Sequence, residues 1–436
     1  MWDRSKILDY NSKEEINVFQ ELALQKQIEY LYTNSPFYKN LFDSNNIDYK
    51  SIKNIDDLKR LPTSSKEDLE KDNDSFLCVS KRKIVEYVTT SGTLGKPIAL
   101  ALTKNDLDRL AYNEKRSLEI VGINDKDTIQ ITTTLDKMFM AGMAYYMGVI
   151  SLGATAIRSG IERPDHHWES ISRFSPTATI AVPSFLYKLA NYGLDNNIKP
   201  NNSSLKKAIC IGEPIRNADF SPNKLHQKIA EKWDIELFST YASTEMMTAF
   251  TECNAKIGGH HLPELIILEI LDEKGQKVAD GELGEITVTP LGVEGMPLLR
   301  YRTGDMARAH VKECSCGRNT LRLGPVEVRK NQMIKLKGTT LFPQSIEEVL
   351  RSFDEVENYV IELSTSTLDT DQIQVYICDT ISDDLLKKIL FQFSNEIRVS
   401  PEIVRIPKKT LLSMLFPEGT RKAKKIMDNR TNTIKL

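Results

Sequence analysis

Long apolar runs are missing from this chain: no stretch approaches the roughly 18 uninterrupted apolar residues that mark a membrane-spanning helix. The first residues, MWDRSKILDYNSKEE, lack a basic segment followed by an apolar one, so no secretory leader is expected and the protein reads as cytoplasmic. Cysteine is scarce. Six of them (Cys78, Cys210, Cys253, Cys314, Cys316 and Cys378) in 436 residues are too few for a disulfide scaffold, and Cys314 and Cys316 alone are clustered. Charge of one sign is also missing, since 58 Lys and Arg face 60 Asp and Glu. A net charge of -2 gives no global field for nucleic acid or an acidic membrane, and partners must be read from local sites. Internal repeats and low-complexity tracts are absent. A hydrophobic fraction of 40% and a charged fraction of 27% are those of an ordinary globular enzyme, long enough for two or three domains.

Apolar residues at helical spacing over 14 to 35 predict a helix, and Ser64-Ser65-Lys66-Glu67-Asp68-Leu69 reads as a helix start with acid in its first turn. From about 84 to 290, short β-branched runs (IQITT at 129–133, ATIAV at 178–182, KAICI at 207–211) alternate with amphipathic segments such as FLYKLANYGL at 185–194. That alternation predicts a sheet with helices on its faces. The run LIILEILDEKGQKVADGELGEITVTPL then predicts hairpin-rich β structure. Beyond the charged stretch 327–331 the pattern restarts as strand and helix over about a hundred residues. The expected fold is α/β: a large N-terminal domain, 1–330, with α/β sheets and a β-rich subdomain, and a small mobile C-terminal α+β domain, 331–436.

The segment Tyr87–Pro97 leads from a strand-like run into a turn rich in glycine and hydroxyls and closed by a lysine. Such a loop suits a polyphosphate. Gly92 and Gly95 let the backbone approach phosphate oxygens, Thr89, Thr90, Ser91 and Thr93 offer hydroxyl donors, and Lys96 adds a point charge. A Walker A loop is excluded, because that motif has four residues between its glycines and Ser or Thr after the lysine, whereas two residues separate Gly92 from Gly95 and Pro97 follows Lys96. From composition alone a hairpin turn is the bland alternative.

Read with its companions, this loop resembles that of the adenylate-forming superfamily (acyl-CoA synthetases, adenylation domains and luciferases), and within it the phenylacetate–coenzyme A ligase group. The likeness runs from Ser35-Pro36-Phe37-Tyr38 and Leu61–Leu69 to Lys422–Arg430. It implies ATP-dependent formation of an acyl-AMP from a carboxylic acid and transfer of the acyl group to a thiol, with release of pyrophosphate and AMP. By the resemblance, Glu245 in Tyr241-Ala242-Ser243-Thr244-Glu245 holds magnesium on the ATP phosphates, and Tyr241 lies by the adenine. The turn Gly212-Glu213-Pro214 flanks the base. Asp305 in Tyr301-Arg302-Thr303-Gly304-Asp305 accepts the ribose hydroxyls, a role suited to a carboxylate with several acceptor sites. The hinge falls at 328–338, with Arg329 touching ribose or phosphate. Lys422 reaches the acyl carboxylate and the α-phosphate, where a cation stabilises developing charge, with Lys424 as the alternative if the register shifts. This chain carries Ala242 and Arg421 where the family usually has glycine, and Asn331 and Gln332 where acidic residues are common.

Members of the group often carry a Cys, His and Cys-x-Cys combination, and Cys253, His261, Cys314 and Cys316 would complete a tetrahedral structural zinc site, with His260 as the competing imidazole. The acid pocket is expected around Met138–Tyr146, with Phe139, Ala141 and Gly142 lining it and Asp136 at its edge. Its aromatic and soft side chains suit an aryl acid of the phenylacetate or benzoate type, and Asp136 leaves room for an amino-substituted one. The expected cofactors are ATP, Mg2+, coenzyme A and structural Zn2+. The nearest rival is a loader of aryl acids onto the phosphopantetheine of a carrier protein. A phosphotransferase releasing ADP and a non-catalytic nucleotide-binding protein are the other readings. Among assemblies, a homodimer is admissible.

Overall fold

The computed structural model describes residues 7–90, 98–329, 334–336, 339–341, 343–365, 371–397, 401–417 and 423–430. Two compact units divide after Glu327. Among the described residues no helix is long and apolar enough to cross a membrane.

In the first unit, α1 (Lys13–Asn34) starts at Ser12, whose side chain accepts from Glu15 N–H while Glu15 reaches back, a reciprocal cap that satisfies two otherwise orphaned donors. The helices α2 (Pro36–Ser44) and α3 (Lys66–Lys71) follow, the latter capped by Ser65. The strands β1 (Ile84–Thr89) and β2 (Ala99–Thr103) pair antiparallel and lead into α4 (Lys104–Ile120), capped by Thr103. An alternating succession then runs β3 (Thr128–Ile131), α5 (Met140–Leu152), β4 (Thr155–Arg158), α6 (Pro164–Phe174), β5 (Ala178–Ala181), α7 (Pro183–Asp195), β6 (Lys207–Cys210), α8 (Lys224–Ala230) and β7 (Glu236–Ser243). Six further strands complete the unit: β8 (Thr248–Glu252), β9 (Gly259–His260), β10 (Ile266–Leu271), β11 (Leu283–Pro290), β12 (Tyr301–His310) and β13 (Arg322–Leu323).

One continuous sheet has the order β10-β11-β12-β13-β9-β8-β7-β6-β5-β3-β4. Its β4, β3, β5, β6 and β7 run parallel, and from β7 through β8, β9, β13, β12 and β11 to β10 each pair is antiparallel. The parallel half is covered on both faces, so β5 reads ATIA with every residue buried. β7 belongs to both halves: Ser239 still pairs with Cys210 of β6, and Thr240 already pairs with Thr251 of β8.

The second unit carries β14 (Val328–Arg329), an antiparallel pair of β15 (Ile334–Leu336) and β16 (Thr339–Leu341), α9 (Pro343–Arg351), β17 (Tyr359–Thr365), β18 (Asp371–Cys378), α10 (Asp383–Ile397), β19 (Glu402–Ile406), α11 (Lys408–Leu415) and β20 (Ile426–Asp428). A four-stranded sheet, β19-β18-β17-β20, buries Ile361, Leu363, Val375 and Ile377 against Ile346 and Val349 of α9 and Ile389 and Phe393 of α10. On its other side Val360 meets Leu411 and Leu415 of α11. The alternation of neighbours 360 and 361 is the two-residue period of a strand buried on both faces.

Candidate functional site

In a parallel sheet the loops leaving the carboxyl ends of the strands meet at one edge, and a ligand site forms where the strand order reverses. Here β3 lies between β4 and β5, so the chain turns back across it, and the reversal falls beside the loop 132–139 that follows β3. The turn 211–214 follows β6, and Tyr241 sits near the end of β7. Gly212 has φ +74°, a left-handed conformation that lets the chain turn sharply off β6 and that a side chain would strain. Glu213 accepts from the Ser184 N–H in the first turn of α7 (2.9 Å).

One pair of the sequence-predicted residues is joined directly, and Glu245 is tied to Tyr301 of the motif that holds Asp305. The Tyr241 hydroxyl donates to Asp305 Oδ2 at 2.9 Å, linking β7 to β12. The Glu245 carboxylate is hydrogen-bonded to the Tyr301 hydroxyl, whose pKa is pushed well above the ordinary phenol range by burial and then by the charge of Glu245. Tyr301 is held in turn by Ser64, which is fully buried, bridges it and donates to the Leu299 carbonyl (2.9 Å). Ala242 is exposed, Ser243 and Thr244 are half-buried, and Ser243 Oγ accepts from Met246 N–H.

Of the loop expected to hold phosphate, Thr90 is described: it is buried, and its backbone and hydroxyl both bond to Ile98. Ser91, Gly92, Thr93, Gly95, Lys96 and Lys422 lie outside the described residues, as does the side chain of Arg329. Thr89 N–H donates to the Met138 carbonyl, so the end of β1 is tied to the segment expected to line the acid pocket. There Asp136 is exposed and bonded to Thr134, while Phe139 and Ala141 are half-buried. Gly142 is buried under close contact: a Cβ would stand 1.9 Å from the Thr134 carbonyl oxygen, so this glycine lets α5 press onto the loop.

Sequence reading missed Arg109 of α4. It is fully buried and donates to the carbonyls of Leu291 (2.8 Å), Met247 (2.6 Å) and Leu265 (2.5 Å) and to Thr248 Oγ1 (3.0 Å). Met247 has φ +47°, and Arg109 thereby holds the strained turn that follows Glu245. Burial lowers the Arg109 pKa to about 10. No motif marks this arginine.

A second cluster gathers Cys253, Cys314, Cys316 and His260, with their donor atoms all within 4.8 Å of one another. The imidazole in it is that of His260, which corrects the sequence expectation of His261. His261 packs its ring on Phe250 and donates from Nε2 to the Ile266 carbonyl (2.5 Å). His261 is the residue after β9, and successive side chains of an extended chain point to opposite sides, so only one of the two joins the sulfurs. Cys253 Sγ and Cys314 Sγ are 3.6 Å apart, too far for a disulfide, and Cys316 Sγ is 3.4 Å from His260 Nε2. A tetrahedral zinc with sulfur at about 2.3 Å and nitrogen at about 2.0 Å sets those edges at about 3.8 and 3.5 Å, so the donor set fits it. Burial raises the Cys253 thiol to about 12 and lowers His260 to about 4. Thr320 Oγ1 lies 3.0 Å from His260 Nδ1, and Arg318 donates to Cys316 Sγ (3.5 Å), the outer contacts that orient ligands.

The description "AMP-binding enzyme" matches residues 39–293, more than half of the chain, and "AMP-binding enzyme C-terminal domain" matches 338–430. The chain belongs to the AMP-binding enzyme family. This is the adenylate-forming superfamily, and within it the chain is similar to phenylacetate–coenzyme A ligases. It is 27% identical over 432 residues to a phenylacetate-coenzyme A ligase of Thermus thermophilus, covering 97% of this chain and 92% of that one. A phenylacetate-coenzyme A ligase of Escherichia coli is 27% identical over 366 residues, covering 81% and 80%. Among solved structures, 2-hydroxyisobutyryl-CoA ligase in the postadenylation state with 2-HIB-AMP superposes with a TM-score of 0.83 at 20% identity, covering 98% of this chain and 95% of that one. That likeness is one of fold: a large α/β unit followed by a small α+β one.

Proposed function

We propose that this AMP-binding enzyme activates an aryl carboxylic acid with ATP and passes the acyl group to coenzyme A. The contact between Tyr241 and Asp305 carries the reading, because it brings a residue expected at the adenine and one expected at the ribose to one place at the carboxyl edge of the sheet. The curated relatives, named for coenzyme A transfer, favour that acceptor over a carrier protein.

In the first half-reaction a carboxylate oxygen of the acid attacks the α-phosphorus of ATP, the bond to the β-phosphate oxygen breaks, and pyrophosphate leaves. Glu245 would hold Mg2+ on the phosphates, where the ion neutralises charge. Asp305 accepts the ribose hydroxyls, Tyr241 orients Asp305 and borders the base, and the 212–214 turn flanks it. Lys96 and Lys422 supply cations to the phosphates and to the reacting carboxylate, with Arg329 on the ribose or phosphate. In the second half-reaction the thiolate of coenzyme A attacks the acyl carbon, the acyl–oxygen bond breaks, and AMP departs; dividing the reaction turns a poor acyl donor into a good one. Phe139 and Ala141 border an uncharged, partly aromatic pocket, while exposed Asp136 favours a polar or amino substituent at its rim. The zinc proposed at Cys253, His260, Cys314 and Cys316 has four protein ligands and leaves no open position for substrate, so it pins loops.

Acid-dependent pyrophosphate exchange across a panel of aryl and alkyl acids tests the reading. Exchange with aryl acids is expected; a preference for short alkyl acids would remove the aryl assignment.

A further inference from the structure

Behind the nucleotide edge lies a buried ion pair that the chemistry above does not use. The side chains of Arg216 and Glu252 are 4% and 2% exposed. Arg216 Nε lies 3.2 and 3.3 Å from the two Glu252 oxygens, and Nη2 donates to Glu252 Oε2 and to the Leu237 carbonyl, both at 3.3 Å. Glu252 Oε2 also accepts from Ser239 N–H at 2.9 Å.

Each end of this network lands on an element already assigned to the nucleotide. Arg216 follows Gly212-Glu213-Pro214 along the same loop. Leu237 and Ser239 belong to β7, and Ser239 is where that strand stops pairing with β6, just before Tyr241. Glu252 closes β8 and is followed by Cys253 of the sulfur cluster. A strand that changes partners leaves its backbone donors to find new acceptors, and a carboxylate takes the one at Ser239. Buried ion pairs are weak contributors to net stability, because desolvation offsets their attraction; what a planar guanidinium with a fixed fork supplies is direction.

We propose that Arg216 and Glu252 form a positioning pair for the nucleotide, fixing the 212–214 turn and Tyr241 relative to each other. The inference rests on the reading of those two elements as the adenine site. Neither residue touches the substrates. Removing the pair lets the turn and the strand relax independently, which loosens ATP without altering the reacting groups.

The test compares the wild-type enzyme with the double variant Arg216→Met/Glu252→Gln and with Arg216→Lys. The double change removes both charges together, keeps an acceptor for Ser239 and avoids stranding one buried charge. Steady-state kinetics, thermal midpoint and zinc content are read for each. The double variant is expected to fold with wild-type zinc content and to raise KM for ATP about tenfold, with kcat and KM for the acid within about threefold of wild type. Arg216→Lys keeps the charge but loses the fork and is expected between the two. An ATP KM within about twofold of wild type in the folded double variant overturns the positioning role and leaves the adenylation reading intact. A fall in kcat and midpoint with unchanged KM makes the pair merely structural. A wild-type enzyme that makes no AMP from ATP overturns the adenylation reading, and the pair's role with it.

Discussion

The hydroxyl of Tyr241 donates to the carboxylate of Asp305 across 2.9 Å, joining the strand at the centre of the sheet to one of its antiparallel outer strands. The bond orients Asp305, whose carboxylate offers about four acceptor sites. Tyr241→Phe keeps the ring and deletes this donor. It is expected to raise KM for ATP about five- to tenfold, the net effect of one ordinary intramolecular hydrogen bond, with KM for the acid unchanged. Kinetics with each substrate varied in turn check this; a change confined to the acid would move Tyr241 out of the nucleotide site.

Gly142 sits where a methyl group would meet the Thr134 carbonyl at 1.9 Å, and the obstacle is backbone, which cannot swing aside. Gly142→Ala must displace the 132–139 loop or the start of α5. The expected outcome is a fall of at least about tenfold in kcat/KM for the acid, with ATP binding retained. Separate measurement of nucleotide affinity and acid kinetics reads the two effects.

The cysteine cluster separates two neighbouring histidines. His260→Ala removes a donor 3.4 Å from Cys316 Sγ, and zinc content is expected to fall well below one per chain. His261→Ala removes a ring stacked on Phe250 and is expected to cost stability while leaving zinc in place. Elemental analysis of the two purified variants decides it, and zinc loss in His261→Ala alone would restore the assignment that strand geometry overturns.

Glu114 of α4 is buried, hydrogen-bonded to Asn113 (3.0 Å) and Tyr145, and burial raises its pKa to about 8. The folded state thus holds a proton that the unfolded chain releases near its ordinary pKa of 4.5. Between those two values the native state binds more protons, so this group's contribution to stability is full below the lower value and declines as pH rises toward the upper one. Glu114→Gln should flatten that decline. Denaturant unfolding of both proteins from pH 5 to about 8.5 measures it, and parallel pH profiles would show Glu114 ionised in the fold.

Much of the fold was legible because the parallel strands announce themselves. The runs at 129–133, 178–182 and 207–211 became β3, β5 and β6, and the segment 185–194 lies within α7. The turns in the 265–291 run separate β10 from β11, and the C-terminal alternation became the four-stranded sheet with its helices. Tyr241 and Asp305, singled out by separate motifs 64 residues apart, are brought into contact by the fold. Arg109 and Arg216 were not legible, since a buried arginine in a helix or loop has no local signature and its partners, such as Leu291 and Glu252, are distant in sequence. The choice between His260 and His261 needed the face of β9, which a two-residue strand is too short to reveal by periodicity. The Met-rich run at 138–146 was ambiguous for a related reason: one helix both packs against α4, through Tyr145 and Gly148, and presses its first turn, at Gly142, onto the 132–139 loop.

In the proposed reaction ATP is split at the α-phosphorus to activate an aryl acid for thioester formation. Incubating the enzyme with ATP, magnesium, an aryl acid of the phenylacetate or benzoate type and coenzyme A, and resolving all products by mass spectrometry, tests it most directly. AMP, pyrophosphate and aryl-CoA are expected in equal amounts, none of them formed when the acid is withheld. Release of ADP and phosphate, or AMP formed independently of any acid, would contradict it.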